Sequence, residues 1–553
     1  MEKHTRKEYD VIVIGGGATG AGTARDCALR GLKTLLIERY DFTNGATGRN
    51  HGLLHSGARY AVNDAESAEE CISENMILRK IARHCVEEHD GLFITLPEDD
   101  LEYQKTFVER CQHAGIRADI ISPEEALRRE PAVNPRLIGA VVVPDGSVDP
   151  FRLTIANVLD AQLHGADVLT YHEVTSLIIN NGRVEGVNLR NNLSGESSEV
   201  RARITVNAAG IWGTLIARMA GCQVGMFPAK GSLLIFGHRV NNMVINRCRK
   251  PANADILVPG DAITVIGTTS DRVPIETVDQ LRVTPEEVEV LLTEGAQLAP
   301  ALASTRVIRA YCGVRPLVAS DDDPSGRNIS RGIVCLDHES RDGVAGFITI
   351  TGGKLMTYRL MSEIATDMVC RKLEVDARCV TAEQALPGTR PDSVSEEYDV
   401  KKDHSPSGRA LAGEIQKLAK ALAPKTYAER VQQGRHGVNA SDIATRDDEK
   451  DALVCECEQV TVGEVEYAME HQLVQRLIQL RRRTRTGMGT CQGQLCALRA
   501  ACVLSRKTGV EAAKADLCNF LNERWKGMQP VAWGPTLSEA QLIQRVYRDV
   551  CGL

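Results

Sequence analysis

The sequence predicts an α/β fold: a sheet opened by a strand–turn–helix unit, an inserted second sheet, and a small cysteine-rich helical domain towards the C-terminal end. Three observations carry this reading. Tyr9–Ile14 is a near-continuous apolar run followed at once by Gly15-Gly16-Gly17-Ala18-Thr19-Gly20. Strand-like and helix-like patterns then alternate to about residue 385. Four of the 17 cysteines stand as two close pairs beyond residue 450.

The opening unit has the form of a Rossmann-like dinucleotide site. A helix-period stretch runs from Ala18 to about Arg30, and a second strand, Thr34–Ile37, ends on Glu38. Gly15 permits the tight turn, Gly17 lets backbone N–H groups approach a pyrophosphate, and Gly20 lets helix and strand pack closely. Glu38, eighteen positions beyond Gly20, is placed to accept from ribose hydroxyls.

A chain of 553 residues exceeds what one hydrophobic core supports, so several domains are expected. Its formal charge of −7 argues against nucleic acid as a partner. Met1–Glu8 is charged and leads straight into the first strand, so no signal peptide is expected. No apolar run approaches the roughly 18 residues of a membrane span. Membrane association would go through a partner or a surface helix. Without an export signal, the scattered cysteines read as small apolar residues rather than a disulfide framework.

Along the chain, strands are expected at Val141–Val143, Ala166–Thr170, Ile204–Val206 and Phe347–Ile350, and helices at Phe151–His164 and Leu355–Leu373. This divides residues 1–388 into cofactor-binding segments at about 1–90, 145–225 and 330–385, with substrate segments at about 91–144 and 226–329. Residues 389–450, rich in charge, Pro and Ser, read as a linker with a short helical piece near 408–423. Helical patterns return at 462–483 and 494–507, within a cysteine domain at 451–525 followed by a tail at 526–553.

Further glycine loops distinguish NAD from FAD. One containing Gly48 follows Glu38; Val206-Asn207-Ala208-Ala209-Gly210 ends a strand on small residues; Thr351-Gly352-Gly353-Lys354 precedes a helix. Backbone that must approach a ligand in so many separate places suits an extended FAD better than NAD. Nothing indicates a second flavin such as FMN.

Several ordered motifs then resemble the FAD-dependent glycerol-3-phosphate dehydrogenases. They are His55-Ser56-Gly57-Ala58-Arg59-Tyr60, Pro144–Leu153, Ile266-Gly267-Thr268-Thr269, Gly313-Val314-Arg315-Pro316-Leu317 and Gly352–Arg359. Together they cover roughly residues 8–388, and the C-terminal cysteines make the chain similar to the bacterial anaerobic branch. The resemblance implies an amino-acid-oxidase-like flavoprotein fold, with a substrate domain over the flavin. It implies oxidation of sn-glycerol 3-phosphate to dihydroxyacetone phosphate. It also implies two partners, the second member of a catalytic dimer and an iron–sulfur membrane-anchor subunit. Electrons would then reach quinone at the cytoplasmic face of the inner membrane, where the chain would be peripheral.

A substrate phosphate is best held by Arg and Lys in a partly dehydrated pocket. Arg59, Arg315 and Lys354 sit in the matching motifs and are the phosphate candidates, with Tyr60 as a further donor. The aerobic and mitochondrial members of the family carry His after Lys-Gly-Ser, whereas here Lys230-Gly231-Ser232 is followed by Leu233. The base for the hydroxyl proton is left open among His51, His55 and Lys230.

Cys455-Glu456-Cys457 and Cys491-Gln492-Gly493-Gln494-Leu495-Cys496 bracket 33 residues. The pairs resemble the [2Fe-2S] domain of bacterioferritin-associated ferredoxin, with zinc or an empty, degenerate site as the alternatives. Gly487, Gly489 and Gly493 would let N–H groups turn towards the sulfurs. Arg481-Arg482-Arg483-Thr484-Arg485 reads as a solvated helix end, a docking patch for an acidic partner or support for a negative cluster. Two other functions are compatible with the sequence: an amino-acid or 2-hydroxy-acid dehydrogenase, and a non-enzymatic redox sensor or electron-transfer scaffold.

Overall fold

A computed structural model describes residues 8–318, 332–389, 427–444 and 448–553. Strand β1 (Glu8–Ile14) lies inside an eight-stranded sheet, parallel to β2 (Thr34–Ile37) on one side and to Ser197–Asn207 on the other. Asp167–Leu169 extends the parallel array past β2, and Phe347–Gly352 extends it past Ser197–Asn207. The apolar run of β1 is explained by two covered faces. Val11 and Val13 enter a core with Ala21, Ala24 and Ala28 of helix α1 (Ala18–Leu29), while Ile12 and Ile14 enter the opposite core. Helix Pro150–Leu163 packs beside α1; its start is fixed by Asp149, which accepts from the N–H groups of Phe151 (2.9 Å) and Arg152 (3.0 Å).

A nine-stranded second sheet draws its strands from residues 91–143 and 226–318. Its longest pairing is antiparallel, Met226–Phe236 against Val307–Val318, and places Ala229 opposite Arg315 and Gly231 opposite Gly313. Leu92, Val142, Leu234, Phe236 and Ile266 form its core, covered by helix Pro285–Leu298 through Leu291 and Leu298.

The C-terminal domain is a two-stranded ribbon, Leu453–Cys455 with Val460–Thr461, wrapped by helices. The expected helix over 462–483 is two helices, Val462–His471 and Leu477–Thr484, because Leu473 takes a left-handed conformation at φ 57° between them. Residues 526–553 are not a loose tail. Helix Gly534–Arg545 continues into Val546–Val550, Tyr547 enters the cysteine-domain core, and Val531 enters the core of the second sheet. Part of the expected linker is also packed: Arg435 and His436, on helix Tyr427–His436, both reach buried Glu464 at 2.8 Å. The helical piece expected near 408–423 lies outside the described residues. Among the described residues, no helix is long and apolar enough to cross a membrane.

Candidate active site and cysteine centre

A cavity of about 600 Å³ gathers most of the glycine loops and polar candidates. Its lining includes Gly15, Gly17, Glu38, His51, His55, Arg59, Tyr60, Gly210, Arg315, Gly352, Gly353 and Lys354. Gly20, Gly48 and Lys230 are not part of that lining. Gly20 serves packing: a Cβ there would overlap the carbonyl oxygen of Gly15, so α1 could not approach β1. Gly48 closes its own turn, since a Cβ would strike the carbonyl oxygen of Thr43.

The backbone is bare where a dinucleotide would lie. A Cβ on Gly17 would meet only the Thr47 hydroxyl oxygen, at 3.1 Å, and a Cβ on Gly210 would meet nothing within 4 Å. Gly210 also holds φ 56°, a conformation that other residues rarely adopt. Glu38 accepts from the N–H groups of Gly16 (2.7 Å) and Tyr40 (2.9 Å). Burial raises its carboxyl, and these two donors oppose the rise. These features fit FAD.

The cationic candidates are held by different partners. Arg59 donates through Nη2 to Asp255 (3.1 Å) and the carbonyl of Ala252 (3.3 Å), while its Nη1 is buried without a hydrogen-bond partner. Asp255 is shared with Arg249 at 2.7 Å. Arg315 donates to the hydroxyls of Thr268 and Ser270 and to the carbonyl of Thr269. The Lys354 ammonium lies 5.1 Å from the centre of the Tyr60 ring and 4.0 Å from Glu70. His55 is 5.4 Å from Tyr60 and 6.1 Å from His51, ring centre to ring centre. His51 Nδ1 accepts from the N–H of Leu53 at 3.2 Å.

His55 is set from behind. Asn75 donates to its carbonyl at 2.9 Å, and Asp145 accepts from the next N–H, Ser56, at 2.7 Å. Burial pushes the Asp145 carboxyl up to about 6. Lys230 points elsewhere, its ammonium committed to Glu287 at 2.7 Å while Ser232 and Thr269 hold the other carboxylate oxygen. Leu233 is buried among Ile235, Val265 and Ile308, an apolar setting in place of a base.

The four predicted cysteines converge. Cys455 lies beside Cys496, Cys496 beside Cys491, and Cys491 beside Cys457. Neighbouring thiols draw Cys455 and Cys491 down and push Cys457 and Cys496 up. Backbone N–H groups of Gly487 and Glu458 serve Cys455, and those of Leu495 and Gly493 serve Cys491. Among the described residues, the compact ligand group with three atoms mutually within 4.8 Å is a different one, Cys222, His338 and Asp342. The four thiols brought together at Cys455, Cys457, Cys491 and Cys496 can serve as the ligand set of a metal centre.

The arginine run faces inwards. Arg483 and Arg482 bind Asp41 at 2.6 and 2.9 Å, and Arg482 also donates to Asn44 at 3.0 Å. Arg485 joins Asp149 (3.2 Å), Asp261 (3.0 Å) and Glu458 (2.9 Å). Arg482 and Arg483 bind the cysteine domain to the loop before Gly45–Thr47, and Arg485 binds it to Asp149 and Asp261, so the run is neither a solvated end nor an open docking patch. Asp41, Asp149 and Asp261 escaped sequence reasoning because nothing local marks an acid whose partner lies hundreds of residues away. The Arg run was the available signal.

Residues 10–359 match the FAD dependent oxidoreductase family, and residues 453–506 match the BFD-like [2Fe-2S] binding domain. The chain is 59% identical to one of the subunits of the anaerobic glycerol-3-phosphate dehydrogenase of Escherichia coli (strain K12), covering 100% of this chain and 98% of that protein. The corresponding protein of Haemophilus influenzae is 57% identical over 98% of this chain and 93% of its own. The chain belongs to the anaerobic glycerol-3-phosphate dehydrogenase family. Among solved structures, the glycerol-3-phosphate dehydrogenase from Bacillus halodurans complexed with FAD superposes with a TM-score of 0.70 at 22% identity, covering 95% of this chain and 96% of that one. That likeness concerns the fold. FAD and a [2Fe-2S] cluster are the cofactors of this family member, and relatives that are each one component of a larger enzyme imply partner subunits.

Proposed function

We propose that this chain oxidises sn-glycerol 3-phosphate to dihydroxyacetone phosphate and passes the electrons to partner subunits. The observation that carries the reading is the meeting of Arg59, Arg315 and Lys354 with His55 and Tyr60 in the cavity that the glycine loops line. Bound FAD supplies the hydride acceptor. Arg59 offers the buried, unpartnered Nη1 to the substrate phosphate, and Arg315 and Lys354 complete a cationic pocket for a dianion. His55 takes the hydroxyl proton. His51 suits that role less, because its Nδ1 accepts from Leu53, which leaves Nε2 carrying the proton in the neutral ring.

The cluster supplies a one-electron relay. Onward transfer runs through the second member of the catalytic dimer and an iron–sulfur anchor subunit to quinone, at the cytoplasmic face of the inner membrane. The naming of the relatives as components of a multi-subunit enzyme supports the partners.

Anaerobic addition of sn-glycerol 3-phosphate to the FAD-loaded protein tests the reaction. Rapid bleaching of the flavin near about 450 nm is expected. Bleaching by amino acids or 2-hydroxy acids alone would overturn the substrate, and no bleaching by any small alcohol or acid would leave an electron-transfer protein.

A further inference from the structure

The C-terminal helix leaves an apolar ridge outside the cysteine domain. Leu542, Val546 and Val550 recur at i, i+4 and i+8 and are 62%, 37% and 78% exposed. Tyr547, between them in sequence, turns inwards: its hydroxyl donates to the carbonyl of Gln494 at 3.0 Å and lies by the backbone of Leu498 and the Cys496 thiol. Leu495 and Leu498, which flank Cys496, are themselves 57% and 37% exposed. The inner side of this helix already has its core contacts through Ile543, Tyr547 and Cys551. Five large aliphatic side chains thus stand in solvent on the two segments that Tyr547 joins at the cluster loop. Apolar side chains exposed at helical spacing along one side of a helix are what a docking partner would cover.

We infer that this ridge docks the polypeptide that takes electrons from the cluster, an inference resting on the electron outflow proposed above. A second copy of this chain would bring an identical cluster and no onward acceptor. A lipid surface would call for a basic amphipathic face, and the charges beside the ridge are Arg545, Arg548 and Asp549, with Asp549 lying against both arginines. A water-soluble partner with an apolar face fits both the ridge and its place at the lip of the centre, where Cys491 and Cys457 are partly exposed.

The test uses the complex expressed with its natural partner subunits. Leu542→Glu with Val546→Glu should lower co-purification of the partners and quinone-linked turnover at least about tenfold, the scale of an interface hot spot. Iron content, FAD content and dye-linked oxidation of glycerol 3-phosphate should stay within about twofold. Leu163→Glu, at a 75% exposed leucine of the flavin domain, should leave the complex intact. Hydrogen exchange of the unaltered chain gives a second measurement: partner binding should protect residues 541–553. An intact complex in the double variant, or no protection of that segment, would overturn the inference. Loss of the complex by a chain whose flavin glycerol 3-phosphate never bleaches would support the docking ridge and sink the proposed reaction.

Discussion

Arg483 and Asp41 form a buried ion pair of 2.6 Å that joins the cysteine domain to the flavin loop. Burial opposes ionisation of Asp41, and the charges of Arg483 and Arg482 overcome it, holding the carboxyl below its ordinary range. Arg483→Ala would leave that buried carboxylate to Arg482 alone, at a cost of up to about 3–5 kcal/mol. The expected result is a lower Tm and loss of FAD during gel filtration, although Arg483 does not line the cavity. Pairing Arg483→Met with Asp41→Asn should recover part of the Tm, since the buried carboxylate charge is removed together with one arginine while Arg482 keeps its bonds to the Phe42 carbonyl and Asn44. Full flavin retention by Arg483→Ala would show that the domain contact does not support the loop.

Two glycines of the first turn should fail differently. Gly17→Val is expected to give a folded protein without flavin, because its side chain enters the space left for the pyrophosphate. Gly20→Ala should compromise folding itself, since the added carbon meets backbone that cannot swing aside. Circular dichroism and the FAD absorbance of the purified variants separate these outcomes.

Removing a cation from the pocket should weaken substrate binding without abolishing flavin. Arg315→Ala and Lys354→Ala are each expected to cost about 2–4 kcal/mol in kcat/KM, carried mainly by KM. Arg59→Ala should show a mixed effect, because it also strips buried Asp255 of one partner. Unchanged KM in the first two variants would move the phosphate elsewhere.

Asp145 gives stability a pH dependence of defined sign. Its folded value of about 6 lies above the unfolded value of about 3.9, so burying the carboxylate is a penalty, full above pH 6 and gone below pH 4. The contribution is about 3 kcal/mol, favouring the folded state more as pH falls from 7 towards 4. Asp145→Asn should remove that portion of the slope in denaturant titrations at several pH values. An identical slope in the variant would show that the carboxyl titrates normally.

How far this architecture could be read in advance depended on locality. The unit Tyr9–Glu38 was legible because strand, turn, helix and acid are adjacent, and the cysteine pairs were legible because their spacing is itself the signal. The expected tail at 526–553 failed because Tyr547 and Val531 are buried by two different cores that no local pattern announces. Lys230 looked like a candidate base beside small residues. Its partner Glu287 lies 57 positions away, and only the fold brings them together.

The cysteine domain and its cluster should separate in their effects on the flavin. Cys491→Ser removes a partly exposed ligand, so iron and quinone-linked turnover should be lost. Bleaching by substrate should survive, because helix Leu477–Thr484 is anchored by Leu477 and Leu480 in an apolar core and still presents Arg482 and Arg483 to Asp41. Deleting residues 453–553 instead leaves Asp41 without either arginine and takes Arg485 from Asp149 and Asp261. Burial disfavours ionisation of Asp261, and the charges of Arg485 and Arg152 outweigh it, so the largest compensating charge disappears. The truncated chain should therefore release FAD and lose dye-linked activity as well. Equal dye-linked rates in the truncated and full chains would show that the flavin domain stands alone. Loss of bleaching in Cys491→Ser, with FAD still bound, would mean that the cluster takes part in the substrate half-reaction.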